Sequence, residues 1–430
     1  MNNYFLHKIP LLIFFIWCIV FQPSAIAQQN TSPDPFIGWF LTWKEDPTST
    51  MVVDWHSFGE EEQTLWYRNE GEQEWREIKS AVHAFPFTTP QRWIHRVELK
   101  GLDADSRYDI NVEEQTRKLY FRTMPADLGE KSIRIAVGGD TMHEKKNMER
   151  TGRQAMTFDP DFVLIGGDLA YANGDSAAVG RWYDWFDAYN NSLIAEDGRI
   201  VPMLVAIGNH EVQKGYYTSH PGFEPTDEHR LRIAPFFYSL FAFPSHPGYG
   251  VLDFGKYLSL FLLDTDHTNA IGGEQKDWLA KNLADRSDVL HLIPIYHIPG
   301  YPSVREYTGG GHKRVREHWI PLFEKHGVRL AFENHDHAYK RTFPIFEEKV
   351  DERGIVYVGD GSWGTRPRDV HSARTTWYLN KSQSIRAFTI LSLEGRGYSL
   401  ISVDEYGRVI DAYPNNPLHL RMEVKSEIVE

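Results

Sequence analysis

Seven short, nearly continuous apolar runs between residues 133 and 358 limit what this 430-residue chain can fold into. Such runs are typical of strands that are buried on both faces of a sheet. They are Ile133–Val137, Phe162–Ile165, Met203–Ile207, Leu258–Leu263, His291–Tyr296, Val328–Phe332 and Ile355–Val358. A composition of 41% hydrophobic and 24% charged residues also excludes fibrous, collagenous and wholly disordered chains.

Helical segments are predicted between several of these runs, at Val179–Tyr189, Glu274–Leu283 and Val315–His326. In the last one, Val315, Trp319, Leu322 and Phe323 form a helical stripe, and Pro321 bends the helix or marks its start. Strands that alternate with covering helices predict an α/β fold, a layered β-sandwich flanked by helices.

Residues 36–123 show a different pattern, short runs of alternating apolar and polar residues. The runs are Thr50–Trp55, Thr64–Arg68, Trp93–Leu99, Tyr108–Val112 and Lys118–Arg122. They predict a separate, antiparallel all-β sandwich domain without a cluster of site-like residues. We expect this domain at 31–124, a polar linker at Met124–Glu130, the α/β domain at 131–415 and a loosely held tail at 420–430.

The first 27 residues predict a secretory signal peptide. An apolar run from Ile9 to Phe21 follows Lys8 and is too short to span a bilayer, and Ser24–Ala27 favours cleavage after Ala27. The chain's one cysteine, Cys18, lies in this segment, so we expect an exported chain without disulfides or thiolate ligands. Removing the segment takes the formal charge from −13 to −14, which argues against a nucleic-acid or anionic-membrane surface.

Polar residues follow five of the buried strands. They are Asp140, Asp168, Asn209, His297 and the pair His335 and His337. Ligands gather beyond the carboxyl ends of strands in open α/β sheets, so these side chains are predicted to meet at one rim. Together with a phenolate from Tyr171, they are too many ligands for one tetrahedral zinc and suit two ions bridged by Asp168. A phenolate favours a trivalent ion such as iron, whereas Asn and His suit a divalent partner.

Taken singly, each of these signals has an ordinary structural explanation. A Gly-Gly-Asp after a strand is commonly a turn, an Asn-His pair is commonly a cap, and a lone histidine is commonly a buried, hydrogen-bonded one. Five such signals in series favour the metal site. The histidines outside the series are interpreted as structural or surface residues: His143, His220, His229, His246 and His267.

The motifs that contain these residues resemble a known family. They are Gly138-Gly139-Asp140, Gly166-Gly167-Asp168-Leu169-Ala170-Tyr171-Ala172, Gly208-Asn209-His210-Glu211, Tyr296-His297-Ile298-Pro299 and Asn334-His335-Asp336-His337-Ala338-Tyr339. From about Trp43 through Gly364, the chain resembles the calcineurin-like metallophosphoesterases, and specifically the purple acid phosphatases with an N-terminal fibronectin type III-like domain. The resemblance implies the metallophosphoesterase type of α/β fold.

The resemblance also implies roles. Asp140, Tyr171 and His337 would bind Fe(III), Asp168 would bridge, and a divalent Fe, Zn or Mn would be held by Asn209, His297 and His335. His210 would be the catalytic residue that meets the phosphate or protonates the leaving oxygen, with Asn209 beside it on the substrate side.

Three departures from the family pattern concern the surroundings of the site. Asp140 is followed by Thr141-Met142-His143 where the family usually has x-Gly, and Asn334 replaces a glycine. Glu306 and Tyr307 stand where plant-type members carry paired substrate-side histidines. Arg305 or His312 could take over those phosphate contacts, although a solvated loop role is an equal alternative.

The implied function is an exported dimetal acid phosphatase that cleaves small phosphate monoesters. A phosphodiesterase or nucleotide phosphatase on the same centre is the alternative enzyme, and a non-catalytic exported binding protein is the alternative of another class.

Overall fold

The computed structural model describes residues 37–112, 117–219, 226–359 and 361–414, all of which belong to one compact unit. The predicted signal peptide at 1–27 and the predicted tail at 420–430 lie outside the described residues. Each of the seven apolar runs contains a strand, with ends that differ from the predicted ones by up to two residues.

Eight strands form the amino-terminal sandwich: β1 (Ile37–Thr42), β2 (Thr50–Ser57), β3 (Thr64–Asn69), β4 (Arg76–Lys79), β5 (Ala81–Ala84), β6 (Trp93–Lys100), β7 (Arg107–Val112) and β8 (Leu119–Arg122). They make two antiparallel sheets of four strands, in the orders β1-β2-β6-β5 and β4-β3-β7-β8. Inward residues of β7 alternate with half-buried ones, as expected for a sheet that is covered on one face. The fibronectin type III-like description of this sandwich stays a prediction.

Two larger sheets follow. The described strands after the sandwich are β9 (Ser132–Gly138), β10 (Phe162–Ile165), β11 (Met203–Val205), β12 (Gly250–Phe254), β13 (Leu258–Leu262), β14 (His291–Ile295), β15 (Leu330–Glu333), β16 (Tyr339–Thr342), β17 (Ile345–Phe346), β18 (Lys349–Val350), β19 (Val356–Gly359), β20 (Leu379–Gln383), β21 (Ala387–Glu394), β22 (Gly397–Asp404) and β23 (Val409–Tyr413). One sheet has the order β11-β10-β9-β21-β22-β23, and the other has the order β12-β13-β14-β15-β19-β16-β20. Strands β17 and β18 pair as a separate hairpin.

In the described ranges, seven α-helices cover or connect these sheets: α1 (Lys145–Met156), α2 (Gly180–Ser192), α3 (Asp227–Ile233), α4 (Pro235–Leu240), α5 (Glu274–Ala284), α6 (Gly310–His318) and α7 (Ile320–Lys325). The helix predicted at 315–326 is divided into two helices that meet at Trp319, which agrees with the alternative that Pro321 marks a helix start. Pro321 lies in the first turn of α7, where a missing N–H costs no hydrogen bond.

The layers are visible in the side chains of β13 and of Leu263 directly after it, which alternate between two cores. Leu258, Leu260 and Leu262 belong to the core that includes the six-stranded sheet. Phe261 and Leu263 belong to a second core, which includes side chains of α5, α6 and α7. The seven-stranded sheet is therefore buried on both faces, which explains its continuous apolar runs. The structure confirms the predicted α/β fold of layered sheets flanked by helices, with a separate N-terminal all-β sandwich.

The amino-terminal sandwich contacts the α/β region through β1 and β6. The ring of Phe40 packs against Tyr189 and Phe241, with 5.3 Å between ring centroids in each case. Asn190 Nδ2 donates to Trp39 O at 3.0 Å, and Arg96 Nη2 donates to Leu240 O at 3.0 Å. Because these contacts are buried and apolar at their centre, the two regions share one continuous core.

Candidate metal centre

Five strands of the two large sheets bring polar residues to one place. Asp140 follows β9, Asp168 follows β10, Asn209 follows β11, His297 follows β14, and His335 and His337 follow β15. Strands β9, β10 and β11 run parallel to one another, as do β14 and β15. Their carboxyl ends therefore deliver the predicted residues from both sheets to a shared rim.

One group of candidate ligands consists of Asp140, Asp168 and His337, whose ligand atoms all lie within 4.8 Å of one another. His337 Nε2 is 2.9 Å from Asp140 Oδ1. The hydroxyl of Tyr171 lies 2.8 Å from that same carboxylate oxygen and 3.0 Å from His337 Nε2. Tyr171 thus lies beside Asp140 and His337, the two residues with which the family resemblance groups it.

A second group consists of Asp168, His297 and His335, and its ligand atoms also lie within 4.8 Å of one another. His297 Nε2 is at its centre, 3.1 Å from Asp168 Oδ2 and 3.0 Å from His335 Nδ1. Asn209 Oδ1 approaches the same nitrogen to 3.2 Å. All four predicted residues therefore face one point.

Asp168 belongs to both groups, and its two carboxylate oxygens are treated differently. Oδ1 accepts a hydrogen bond from the backbone N–H of His210 at 2.7 Å. Oδ2 is buried and has no hydrogen-bond partner, although it lies only 3.1 Å from His297 Nε2. A buried carboxylate oxygen without a donor is costly, and a cation removes that cost.

The donor set fits a pair of cations. Two imidazole nitrogens and an amide oxygen gather at one point, where direct hydrogen bonds cannot satisfy all of them, and carboxylates and a phenol gather at the other. The shared oxygen without a partner belongs to Asp168, the residue between the two groups. Asp140, Tyr171, His337 and Asp168 would hold one cation, and Asp168, Asn209, His297 and His335 the other.

Burial and neighbouring charges shift the pKa values of these groups strongly. Burial lowers the pKa of His297, but the adjacent Asp168 carboxylate outweighs burial and raises that pKa to about 9. Burial and the proximity of His297 hold the pKa of His335 well below its usual range. Burial and the carboxylate of Asp140 raise the pKa of the Tyr171 hydroxyl well above its usual range, so only a strongly polarising cation would bind it as a phenolate.

Most of the candidate ligands have an unusual backbone conformation. Five of the seven are left-handed, with φ between 55° and 83°: Asp140, Asp168, Tyr171, His335 and His337. Non-glycine residues rarely adopt this conformation, and clusters of it mark functional sites. Sharp turns directly after the strands therefore aim these side chains at the rim.

Glu211 holds the turn that carries Asp168. Its carboxylate accepts from the backbone N–H groups of Asp168, Leu169 and Gly208, each at 2.8 Å. Burial and the charge of Asp168 raise the pKa of Glu211 to about 8. Sequence reasoning gave Glu211 no role, and its only signal was its place in the Gly-Asn-His-Glu motif.

His210 lies at the mouth of the centre, with a third of its side chain exposed. Asn173 Oδ1 accepts a hydrogen bond from His210 Nδ1 at 2.5 Å, and His210 Nε2 lies 3.9 Å from Asp168 Oδ2. One ring nitrogen is therefore held by the protein, while the other is close to the shared carboxylate. Sequence reasoning missed Asn173, because the contact joins residues 37 positions apart.

Arg305 and His312, the two candidates for phosphate contacts, differ in accessibility. Arg305 donates to His335 O at 2.8 Å and to the buried carboxylate of Asp336, and 30% of its side chain is exposed. His312 is buried in α6, where its Nδ1 donates to Pro299 O at 2.6 Å. A phosphate contact by Arg305 agrees with its exposure, whereas one by His312 stays a prediction without support from its position.

The side chain of Asn334, which replaces the glycine usual in the family, lies against Gly139 of the first motif and Gly166 of the second. Asn334 Nδ2 donates to Tyr296 O at 3.0 Å, and the side chain is buried. A Cβ atom at Gly166 would lie 1.8 Å from that nitrogen, so only glycine fits at this position. The side chain of Asn334 thus locks the β10 turn against the β15 turn.

The fold and this site are typical of the calcineurin-like phosphoesterase family. Residues 133–339 match the family described as calcineurin-like phosphoesterase, and residues 38–123 match the purple acid phosphatase N-terminal domain. Together the two matches cover more than half of the chain, and the chain belongs to the purple acid phosphatase family.

Individual relatives agree with this assignment. The chain is 25% identical to purple acid phosphatase 13 of Arabidopsis thaliana over 63% of its own length and 54% of the relative's. It is 28% identical to purple acid phosphatase 15 of the same plant over 64% and 54%, respectively. An uncharacterised protein of Mycobacterium tuberculosis is 30% identical over 75% of this chain and 65% of its own. The chain thus matches about half to two thirds of the length of these relatives.

A solved structure shares the fold. Purple acid phosphatase PPD1 from yellow lupin (Lupinus luteus) seeds aligns with a TM-score of 0.71 and 19% sequence identity, over 88% of this chain and 74% of that one. Across the residues that the structure describes, no helix is both long and apolar enough to cross a membrane.

Proposed function

We propose that this protein is a dimetal phosphohydrolase that cleaves small phosphate monoesters, and that it acts after export from the cell. The main observation behind the proposal is that two groups of candidate ligands share Asp168. Its Oδ2 atom is buried and has no hydrogen-bond donor. Membership of the purple acid phosphatase family supports the reaction class. The apolar run at residues 9–21 supports export.

The seven candidate ligands divide between an Fe(III) site and a divalent site in this proposal, as the family resemblance implies. Fe(III) is assigned to the group that contains the Tyr171 hydroxyl, because a phenolate is a hard oxygen donor. The divalent ion is assigned to the group with two imidazoles and an amide oxygen. When bound, the two cations would neutralise phosphoryl oxygens and lower the pKa of a water that acts as the nucleophile.

The protein's own side chains would orient the ester and assist the leaving group. His210 Nε2 would contact the phosphate or protonate the leaving oxygen, because Nδ1 is committed to Asn173. Arg305 would contribute its remaining guanidinium N–H groups to the phosphate, since Nη1 is committed to His335 O and Asp336. Asn209 would lie beside the substrate while its oxygen serves the divalent site.

Hydrolysis of 4-nitrophenyl phosphate and of its bis ester, measured together with the metal content, tests the proposal. We expect two metal ions per chain and a higher kcat/KM for the monoester. His335→Ala should lose activity and metal while its circular dichroism stays that of a folded chain, and His326→Ala on the α7 side should retain both. A preference for the diester would assign the same centre to a phosphodiesterase, and full activity in His335→Ala would remove the metal assignment.

The visible absorption spectrum tests the place of iron separately. If Tyr171 binds Fe(III) as a phenolate, charge transfer should colour the oxidised, iron-replete protein purple or pink. Tyr171→Phe should bleach this band and reduce activity less than His335→Ala does, because the phenolate tunes the ion without moving a proton. A visible band that survives in Tyr171→Phe would remove Tyr171 from the site.

A further inference from the structure

The loop after Asp140 brings an exposed imidazole to the candidate centre. His143 is exposed, yet its ring lies 4.4 Å from the ring of Tyr171 and 5.5 Å from that of His337, measured between centroids. Both of those residues are buried. His143 therefore lies at the boundary between solvent and the ligand group proposed for Fe(III).

The position of His143 is fixed by the loop around it. Thr141 N donates to Asp168 O at 2.9 Å, and Thr141 Oγ1 donates to Leu169 O at 2.8 Å. On the other side, the guanidinium of Arg181 donates to Met142 O at 2.6 Å and to His143 O at 3.3 Å. The backbone on both sides of His143 is thus bonded to the turn that carries Asp168 or to α2, so the imidazole is held at the rim.

The hydrogen bonds of the ring leave one donor available. The backbone N–H of Arg366 donates to His143 Nδ1 at 3.4 Å, which assigns the ring proton to Nε2. Within the described part of the chain, His143 Nε2 has no hydrogen-bond partner. The exposed ring can therefore offer an N–H to an anion bound at the rim.

The imidazole of His210 contacts the same tyrosine ring as that of His143. The ring of His210 lies 4.2 Å from the ring of Tyr171, so His143 and His210 both contact this side chain. Each has one nitrogen held by the protein and the other not held by it. Meanwhile Tyr307 is turned away from any such role, because its hydroxyl donates to Glu348 at 3.1 Å and Arg316 covers its ring.

We propose that His143 is a substrate-contacting residue that donates a hydrogen bond from Nε2 to a phosphoryl oxygen, and that it works as a pair with His210. This inference rests on the proposed phosphoester hydrolysis. It assigns phosphate recognition to the loop that follows β9, in addition to Arg305. The ligand class is a phosphate monoester or inorganic phosphate.

Two variants separate hydrogen bonding from packing. His143→Phe keeps an aromatic ring against Tyr171 and removes the donor, whereas His143→Gln keeps an N–H donor and removes the ring. For the metal-loaded full chain, calorimetric titration with inorganic phosphate should show affinity about 10- to 100-fold weaker in His143→Phe, the usual effect of losing a hydrogen bond to a charged group. His143→Gln should recover most of the affinity, and His326→Phe should bind phosphate like the wild type.

The steady-state kinetics add a second readout. A contact made to both the bound substrate and the transition state raises KM more than it lowers kcat, so His143→Phe should show mainly a KM effect with 4-nitrophenyl phosphate. Equal phosphate affinity in His143→Phe and wild type overturns the proposal, as does the reverse order, in which Phe binds well and Gln poorly. An inactive wild type that still shows the expected order of phosphate affinities would refute the proposed reaction and leave the phosphate contact standing.

Discussion

Two aspartates with the same burial show how the amino-terminal sandwich differs from the rim of the α/β region. Asp54 on β2 and Asp168 after β10 are each 1% exposed. Arg96 donates three hydrogen bonds to Asp54, at 2.9, 3.1 and 2.6 Å, so both of its oxygens are satisfied by the protein. Asp168 Oδ2 has no donor. Burial of a carboxylate therefore does not mark a site, but an unsatisfied carboxylate that faces other ligands does.

Two buried histidines repeat the contrast. In the sandwich, His95 is bonded through both ring nitrogens to serine hydroxyls, to Ser57 at 2.7 Å and to Ser80 at 3.1 Å. Burial lowers the pKa of His95 to about 4, so the ring is neutral at pH 7. At the rim, His297 Nε2 faces a carboxylate, an amide oxygen and a second imidazole. The sandwich pairs its polar groups locally, whereas the rim aims several groups at one point.

The largest expected effect comes from substituting the two aspartates. Asp168→Asn should lower phosphatase activity by roughly three orders of magnitude and release metal, because it removes the shared ligand. Asp54→Asn should retain metal and specific activity but lower the free energy of unfolding by about 3 kcal/mol, because it leaves Arg96 without its partner. Metal analysis and urea unfolding of both variants check this. If both variants lose metal and activity, or if both only lose stability, the proposed difference between the two aspartates is wrong.

The next effect concerns the contact between the sandwich and the α/β region. Phe40→Ala should lower the free energy of unfolding by about 3–5 kcal/mol, because it opens a cavity between β1 and the rings of Tyr189 and Phe241. The folded variant should bind metal like the wild type. Phe58→Ala is the matched control, since that ring is 55% exposed and should contribute little. Two separate unfolding transitions in the wild type would contradict a shared core.

A smaller effect depends on pH. Burial lowers the pKa of His56 in the folded chain to about 3, whereas the unfolded chain takes up that proton near the ordinary value of 6.5. The free energy of unfolding should therefore fall as the pH drops from 6.5 toward 3, by about 1.4 kcal/mol per pH unit from this residue. Urea unfolding of the wild type and His56→Phe at pH 7, 6 and 5 checks this. Parallel pH profiles of the two proteins would show that His56 contributes nothing.

The smallest effect concerns Glu211, a carboxylate at the rim that is bonded to backbone N–H groups and is not one of the candidate ligands. In the wild type, three backbone N–H groups donate to the Glu211 carboxylate. Glu211→Gln keeps one acceptor oxygen, but it places an NH₂ group opposite at least one of these N–H donors. We expect metal affinity to fall about tenfold through the misplaced Asp168. Competition with a chelator measures it, and the exposed Glu61→Gln serves as the control. Unaltered affinity would make Glu211 a purely structural residue.

The sequence predicts best what depends on neighbours along the chain. Phe162–Ile165 is predicted with the ends that it has, because a fully buried strand needs an apolar residue at every position. Helix α1 is not predicted from the sequence, because three of the five residues that it buries are Asn147, Thr151 and Gly152, which leaves only Met148 and Ala155 as apolar residues on its buried face. Strand β21 pairs antiparallel with β9, some 250 residues earlier in the chain, and no local pattern indicates that pairing.

The same limit applies to the site. The candidate ligands could be predicted because strand ends of neighbouring parallel strands meet at one edge. The roles of Glu211 and Asn173 depend on the loops folding against each other, as do the ring contacts of His143, so sequence spacing does not reveal them. The sequence offers a phosphate contact or a solvated loop role for His312, but Gly310 begins helix α6 and the buried imidazole donates to Pro299 O.

The left-handed backbone at five of the seven candidate ligands has an evolutionary consequence. Each such residue costs roughly 1 kcal/mol that glycine would not. In a library selected for heat resistance alone, variants with glycine at Asp140, His335 or His337 would be enriched, and each would lose a ligand. We expect these residues to persist only under selection for the activity of the centre. In lineages without that selection, the left-handed ligands should be replaced before the core residues are.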